Sequence, residues 1–116
     1  MEISERRIAK RLKTNLPISF EQGAPLKRFG ETTTKDISTT GLRMNMATFF
    51  APNSQCLLRL RFPEINRIIE TVARVVWSHR ISYSDQYQAG LEFCEMNTIF
   101  KKWLEEYILI NETLAR

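Results

Sequence analysis

The sequence is poor in the residues that carry chemistry. It has one histidine, His79, and two cysteines, Cys56 and Cys94, in 116 residues. A zinc site needs four Cys, His or carboxylate ligands, and no spacing of Asp or Glu around these three residues suggests one. A nucleophile–His–acid triad would have to use His79, which stands beside Arg80 near the end of a strand-like segment and reads as a surface or partly packed imidazole. The four glycines, at 23, 30, 41 and 90, form neither a G-x-G-x-x-G pattern nor a phosphate loop. Two cysteines in apolar, strand-like stretches are expected to be buried or half-buried free thiols of a reducing compartment. No apolar run exceeds five residues, against the ~20 that span a bilayer. No apolar stretch follows the basic residues 6–13, as a signal peptide would require. The expectation is a cytoplasmic binding protein, not an enzyme, with no cofactor, no metal and no membrane insertion.

What is present is the composition of one globular domain. Hydrophobic residues make up 43% and charged residues 26%, and a chain of this size buries enough surface to fold without a staple. The net charge is +4, and it is uneven. Residues 1–13 hold Arg6, Arg7, Lys10, Arg11 and Lys13 against Glu2 and Glu5, whereas the rest is near neutral. The division expected is a basic arm over 1–13 and a globular body over 14–116. Charged and poor in apolar residues, the arm is expected to be mobile until an anion draws it down.

Alternation marks six strands in the body. Leu16, Ile18 and Phe20 share one face of the first, before a Gly23-Ala24-Pro25 turn. Leu26 to Ile37 is polar and suits a half-exposed strand, and Leu42 to Met46 alternates again. Cys56, Leu58, Leu60 and Phe62 share a face of Gln55 to Phe62. Arg67 to Trp77 follows a Pro63-Glu64-Ile65-Asn66 turn, and Tyr87 to Cys94 puts Ala89, Leu91 and Phe93 inward. The period then changes: Ile99, Trp103 and Tyr107, with Phe100, Leu104 and Ile108, form the apolar stripe of a helix over about 97–113, capped by Asn97 or Thr98. The fold expected is mainly β, a six-stranded antiparallel barrel closed at one edge or end by a C-terminal α-helix.

Two motifs point at a ligand. Arg7 and Arg11 stand at i and i+4, with Arg6 just before them. That spacing puts two guanidinium forks on one side, suited to planar acceptor edges such as guanine O6/N7 or phosphate oxygens. The second motif is Asp36-Ile37-Ser38-Thr39-Thr40-Gly41, a D-x-S-x-x-G. Asp36 and Ser38 share a strand face; the carboxylate can accept guanine N1 and N2 protons, and the hydroxyl can bind phosphate or pin the turn. Gly41 is expected at positive φ where the chain reverses. Twenty-four residues separate Arg11 from Asp36, room for a hairpin that returns one motif to the other.

With these motifs the chain resembles the PilZ domains, bacterial receptors for cyclic di-GMP. The resemblance runs from Glu5-Arg6-Arg7 through Arg11, Asp36 to Gly41 and Leu42-Arg43-Met44, to the strands Ala73–Trp77 and Ala89–Phe93 and the final helix. It implies a barrel on which Arg7 and Arg11 clamp guanine and phosphate while Asp36 and Ser38 hold the ligand from the barrel surface and Gly41 shapes the turn. Arg6, by the same resemblance, bears on stoichiometry: a cation there favours an intercalated ligand dimer. Arg43 and Trp77 are further candidates to line the site. The output implied is a repositioned arm that a partner protein reads. Two other readings compete: a PilZ-like protein-interaction module without nucleotide binding, and a barrel for single-stranded nucleic acid. The latter needs exposed aromatics interleaved with basic residues; here most Phe and Trp fall on inward or helix-stripe positions, so DNA is not an expected partner.

Overall fold

The computed structural model describes residues 11–23 and 28–114. Alternating side chains build seven strands: β1 (Leu12–Lys13), β2 (Pro17–Gln22), β3 (Arg28–Ile37), β4 (Gly41–Met46), β5 (Gln55–Phe62), β6 (Arg67–Arg80) and β7 (Tyr87–Phe93). Helix α1 (Thr98–Leu114) follows. All pairings are antiparallel. The order β3-β2-β5-β6-β7-β4, with β4 returning to β3, closes a six-stranded barrel, and β1 adds a short seventh strand against β3. Closure leaves none of the six with a free edge.

The inward faces follow the alternation. Leu16, Ile18 and Phe20, then Cys56, Leu58, Leu60 and Phe62, then Ala89, Leu91 and Phe93 are all buried, around Ile37, Leu42, Met44 and Phe50. The β5–β6 connection is a 3₁₀ turn over Pro63–Ile65, ended by Asn66 in the left-handed region at φ 52°. Helix α1 covers the barrel end beside this turn. Leu104 is fully buried, the Tyr107 ring meets Phe62 edge-on at 4.8 Å, and the Arg67 guanidinium lies 4.1 Å from the Trp103 ring centre. Asn97 Oδ1 accepts the Ile99 N–H at 2.8 Å, the N-cap its position suggests.

Four local expectations change. Strand β6 runs to Arg80, three residues past Trp77, because a bulge between Val75 and Trp77 shifts the alternation by one and hides the continuation. Ile99 is 59% exposed, so the packed stripe begins at Phe100; the first turn of α1 overhangs the barrel. Cys94 is exposed, since Phe93 before it points inward, whereas Cys56 is buried. Leu12 and Lys13, at the end of the basic arm, pair with β3 as a seventh strand, while β3 itself is half-exposed as expected, with Glu31, Thr33 and Lys35 exposed and Thr34 and Asp36 buried. No described helix is long and apolar enough to cross a membrane.

Candidate functional site

The site is built on the second half of β3. The first half of that strand pairs with β2, and the second lies between β1 and β4. Lys13 opposes Asp36 on β1, yet Pro17 opposes Thr33 on β2, so one extra residue is accommodated between the two. The buried Thr34 hydroxyl fills that irregularity: Oγ1 donates to the Thr14 carbonyl at 2.7 Å and accepts the Leu16 N–H at 3.0 Å. Leu12 packs against the core, and Thr14 Oγ1 lies 3.2 Å from the Tyr107 hydroxyl of α1. These ties fix the chain where it enters the barrel and deliver Arg11 to the neighbourhood of Asp36.

Asp36 is the centre of the site. Its side chain is 4% exposed, and an isolated carboxylate so buried would be strongly unfavourable. It is compensated from both sides. Oδ1 accepts Arg11 Nε at 3.1 Å, Oδ2 accepts Arg43 Nε at 2.6 Å, and Arg43 Nη2 is ion-paired with the same Oδ2. Arg43 is the register partner of Asp36 on β4. The two guanidiniums are half-exposed, at 44% for Arg11 and 38% for Arg43. One buried negative charge thus anchors two cations whose other N–H groups face outward. Beside them is a shallow polar depression of about 370 Å³ lined by Lys13, Thr14, Asn15, Lys35, Arg43 and Gln88. It adds two lysines to the arginines, a surface suited to an anion with planar acceptor edges.

The turn from β3 to β4 belongs to the same motif. Ser38 is fully buried, and its hydroxyl pins the turn: Oγ accepts the N–H groups of Thr40 at 3.2 Å and Gly41 at 3.3 Å. The Ser38 N–H donates to the Gly41 carbonyl at 2.8 Å. Gly41 is not at positive φ, which corrects the reason expected for it. A Cβ at Gly41 would meet the Leu91 carbonyl oxygen at 2.1 Å, so glycine is needed for the close approach of β4 to β7. A row of register partners continues around the barrel from Asp36 to Arg43, Gly90 and Trp77. The half-buried Trp77 indole lies over Gly90 and stacks with the His79 ring at 5.2 Å.

The fold therefore brings Arg11, Asp36, Ser38 and Gly41 to one edge of the barrel and adds Arg43. Arg6, Arg7 and the rest of the arm before Arg11 lie outside the described residues. Lys13 and Lys35 were not singled out as site residues by the sequence; strand register sets Lys13 opposite Asp36 on β1, and Lys35 precedes Asp36 on β3 at the irregularity between β3 and β4. Among the described residues no group of His, Cys, Asp and Glu could hold a metal ion.

The described residues form a closed six-stranded barrel with one helix over its end and a cationic rim organised by a buried aspartate. The chain belongs to the PilZ domain family, whose model matches residues 5–109. PilZ domains are receptor and binding modules rather than enzymes. Solved structures share the fold. The inhibitor of motility MotI/DgrA of Bacillus subtilis superposes with a TM-score of 0.81 at 22% identity, covering 93% of this chain and 52% of that one. The MrkH–c-di-GMP complex of K. pneumonia gives 0.74 at 16%, covering 92% and 52%. The PilZ domain of YcgR from Escherichia coli, solved with c-di-GMP, gives 0.72 at 14%, covering 96% and 95%. The chain thus spans about half the length of the first two. No curated protein matches it.

Proposed function

We propose that this chain is a cyclic di-GMP receptor module that acts in the bacterial cytoplasm and signals to a partner protein by moving its basic arm. The observation that carries the reading is the Arg11–Asp36 bond, which joins the last arginine of R-x-x-x-R to the first residue of D-x-S-x-x-G. Family membership and the ligand in the YcgR and MrkH structures support it.

The chemistry follows from the side chains. Cyclic di-GMP carries two phosphates and two guanines. Arg7 and Arg11 offer paired N–H donors to guanine O6/N7 and to phosphate oxygens. Asp36 offers carboxylate oxygens to guanine N1–H and N2–H, and Ser38 and Gly41 hold the turn that presents it. Ligand held between arm and barrel changes the surface formed by residues 1–13, and a partner chain, or another part of the same chain, reads the change. Arg6 stacks on or pairs with a second ligand, which gives an intercalated dimer.

A calorimetric titration with cyclic di-GMP, with GTP and cyclic di-AMP as controls, tests the reading. Saturable binding of cyclic di-GMP alone is expected, and Arg7→Ala, Arg11→Ala and Asp36→Ala each should remove most of it. Two ligands per chain, falling to one in Arg6→Ala, is the result expected for the dimer. No heat with any nucleotide would instead favour a protein-interaction module.

A further inference from the structure

The two arginines on Asp36 are not equivalent. Arg43 donates Nε to Oδ2 at 2.6 Å, and its Nη2 is ion-paired with the same oxygen. It sits within a ladder, paired with Asp36 on one side and Gly90 on the other. Arg11 gives a single bond, Nε to Oδ1 at 3.1 Å, from a position ahead of a two-residue strand. Thus one cation is fixed by the barrel and the other is held loosely at its edge.

This matters because Asp36 is buried. If Arg11 were its sole counter-ion, any ligand drawing Arg11 away would strand a carboxylate that is 4% exposed. Resting on the function proposed above, we infer that Arg43 is the resident counter-ion of Asp36, holding Oδ2 so that Arg11 can leave Oδ1 for the ligand. Arg43 is then a positioning residue. It keeps the carboxylate paired and oriented, with Oδ1 turned toward the rim, where a guanine N–H takes the place that Arg11 vacates. The ligand's anionic groups receive Arg11, and charge is balanced throughout: one cation stays on the aspartate and one moves to the phosphate or guanine edge. Nothing in the D-x-S-x-x-G motif itself demands an arginine at position 43; the demand comes from the register that sets Arg43 opposite Asp36.

The test is a double-mutant cycle read by calorimetry with cyclic di-GMP, over wild type, Arg43→Ala, Asp36→Asn and the double variant. Arg43→Ala should weaken binding by about tenfold or more, because Arg11 is then locked onto an otherwise unpaired carboxylate. In the Asp36→Asn background, where no charge needs a counter-ion, the same substitution should cost less than about twofold. Arg43→Lys, which keeps the charge and guards against a folding defect, should recover most of the affinity lost in Arg43→Ala. Equal losses in both backgrounds would mean that Arg43 touches the ligand directly and would overturn the counter-ion role, as would wild-type affinity in Arg43→Ala. A ligand-free readout separates this from the functional reading. Hydrogen exchange of the Arg11 Nε–H, followed by NMR, should slow in Arg43→Ala as Arg11 tightens on Asp36. If wild type binds no cyclic di-GMP, or Asp36→Asn abolishes binding, this exchange decides alone: slowing supports the counter-ion role, and an unchanged rate overturns it.

Discussion

At the scale of single residues, Asp36 shows how burial turns an ordinary ion pair into an organising one. Surface ion pairs contribute little, because water solvates both partners when they part. Here only the arginines remain within reach of water, and the carboxylate does not. Asp36→Ala should therefore cost the fold only about 1 kcal/mol, since two half-exposed guanidiniums can be hydrated once released. Its cost in ligand binding should be far larger, and urea titration beside calorimetry separates the two. The cysteines make a second contrast at this scale. Burial pushes the Cys56 thiol up to about 11, while Cys94 is exposed. A thiol-specific disulfide reagent at neutral pH should label Cys94 in the native protein and reach Cys56 only after denaturation. Equal labelling rates in the folded state would contradict this assignment of burial.

At the scale of elements, the β3–β4 turn and helix α1 hold the two ends of the site. The turn is closed by Ser38 and by the contact of Gly41 with the β7 backbone. Gly41→Ala places a methyl group against the Leu91 carbonyl oxygen and should destabilise the protein by about 1–3 kcal/mol. A urea midpoint equal to that of wild type would show that β4 can shift freely, contrary to the packing seen. Helix α1 is bound to the barrel through Leu104, Tyr107 and Ile108. Leu104→Ala empties a fully buried position and should cost about 2–5 kcal/mol, measured by chemical or thermal unfolding. Because Thr14 meets Tyr107, the helix also braces the chain segment from which the arginine arm departs. Damage to the helix should therefore loosen the site from behind, without touching a ligand-binding group.

At the scale of the whole molecule, the barrel is a closed surface with a core of mostly apolar side chains, and its buried ionisable groups set its response to alkali. Cys56 and Tyr107 are both raised above their ordinary values of 9.0 and 10.0, in each case first by desolvation on burial. A raised acid favours the protonated form in the folded state, so the folded protein binds more protons than the unfolded one as pH climbs past 9.0. The stability these groups contribute is complete below their unfolded values and is lost as pH rises through the folded ones. The urea midpoint should accordingly fall between about pH 8 and pH 11, and replacing Cys56 by alanine should flatten the early part of that fall. A midpoint that rises over the interval would reverse the sign of the linkage.

The sequence by itself determined six of the seven strands, the helix and the two motifs, because each is written in local patterns. Period-two alternation places Leu58, Leu60 and Phe62 inward whatever the strands' partners turn out to be, and Leu104, Tyr107 and Ile108 fall on the packed stripe of α1 by helical spacing alone. The candidate ligand residues were legible for the same reason, as residue types at fixed short spacings. Only the tertiary structure decided how those pieces meet. A bulge at Val76 let β6 run on to Arg80, and neighbouring strands decided that Thr34 and Asp36 are the buried residues of a polar, half-exposed strand. Gly41 proved necessary for an approach between strands 50 residues apart in its contact with Leu91, rather than for its own backbone angle. The partnership of Arg43 with Asp36 came from strand register. Register, closure and burial are properties of pairs of segments, set when distant strands compete for the same hydrogen bonds and the same core, and no local pattern carries them.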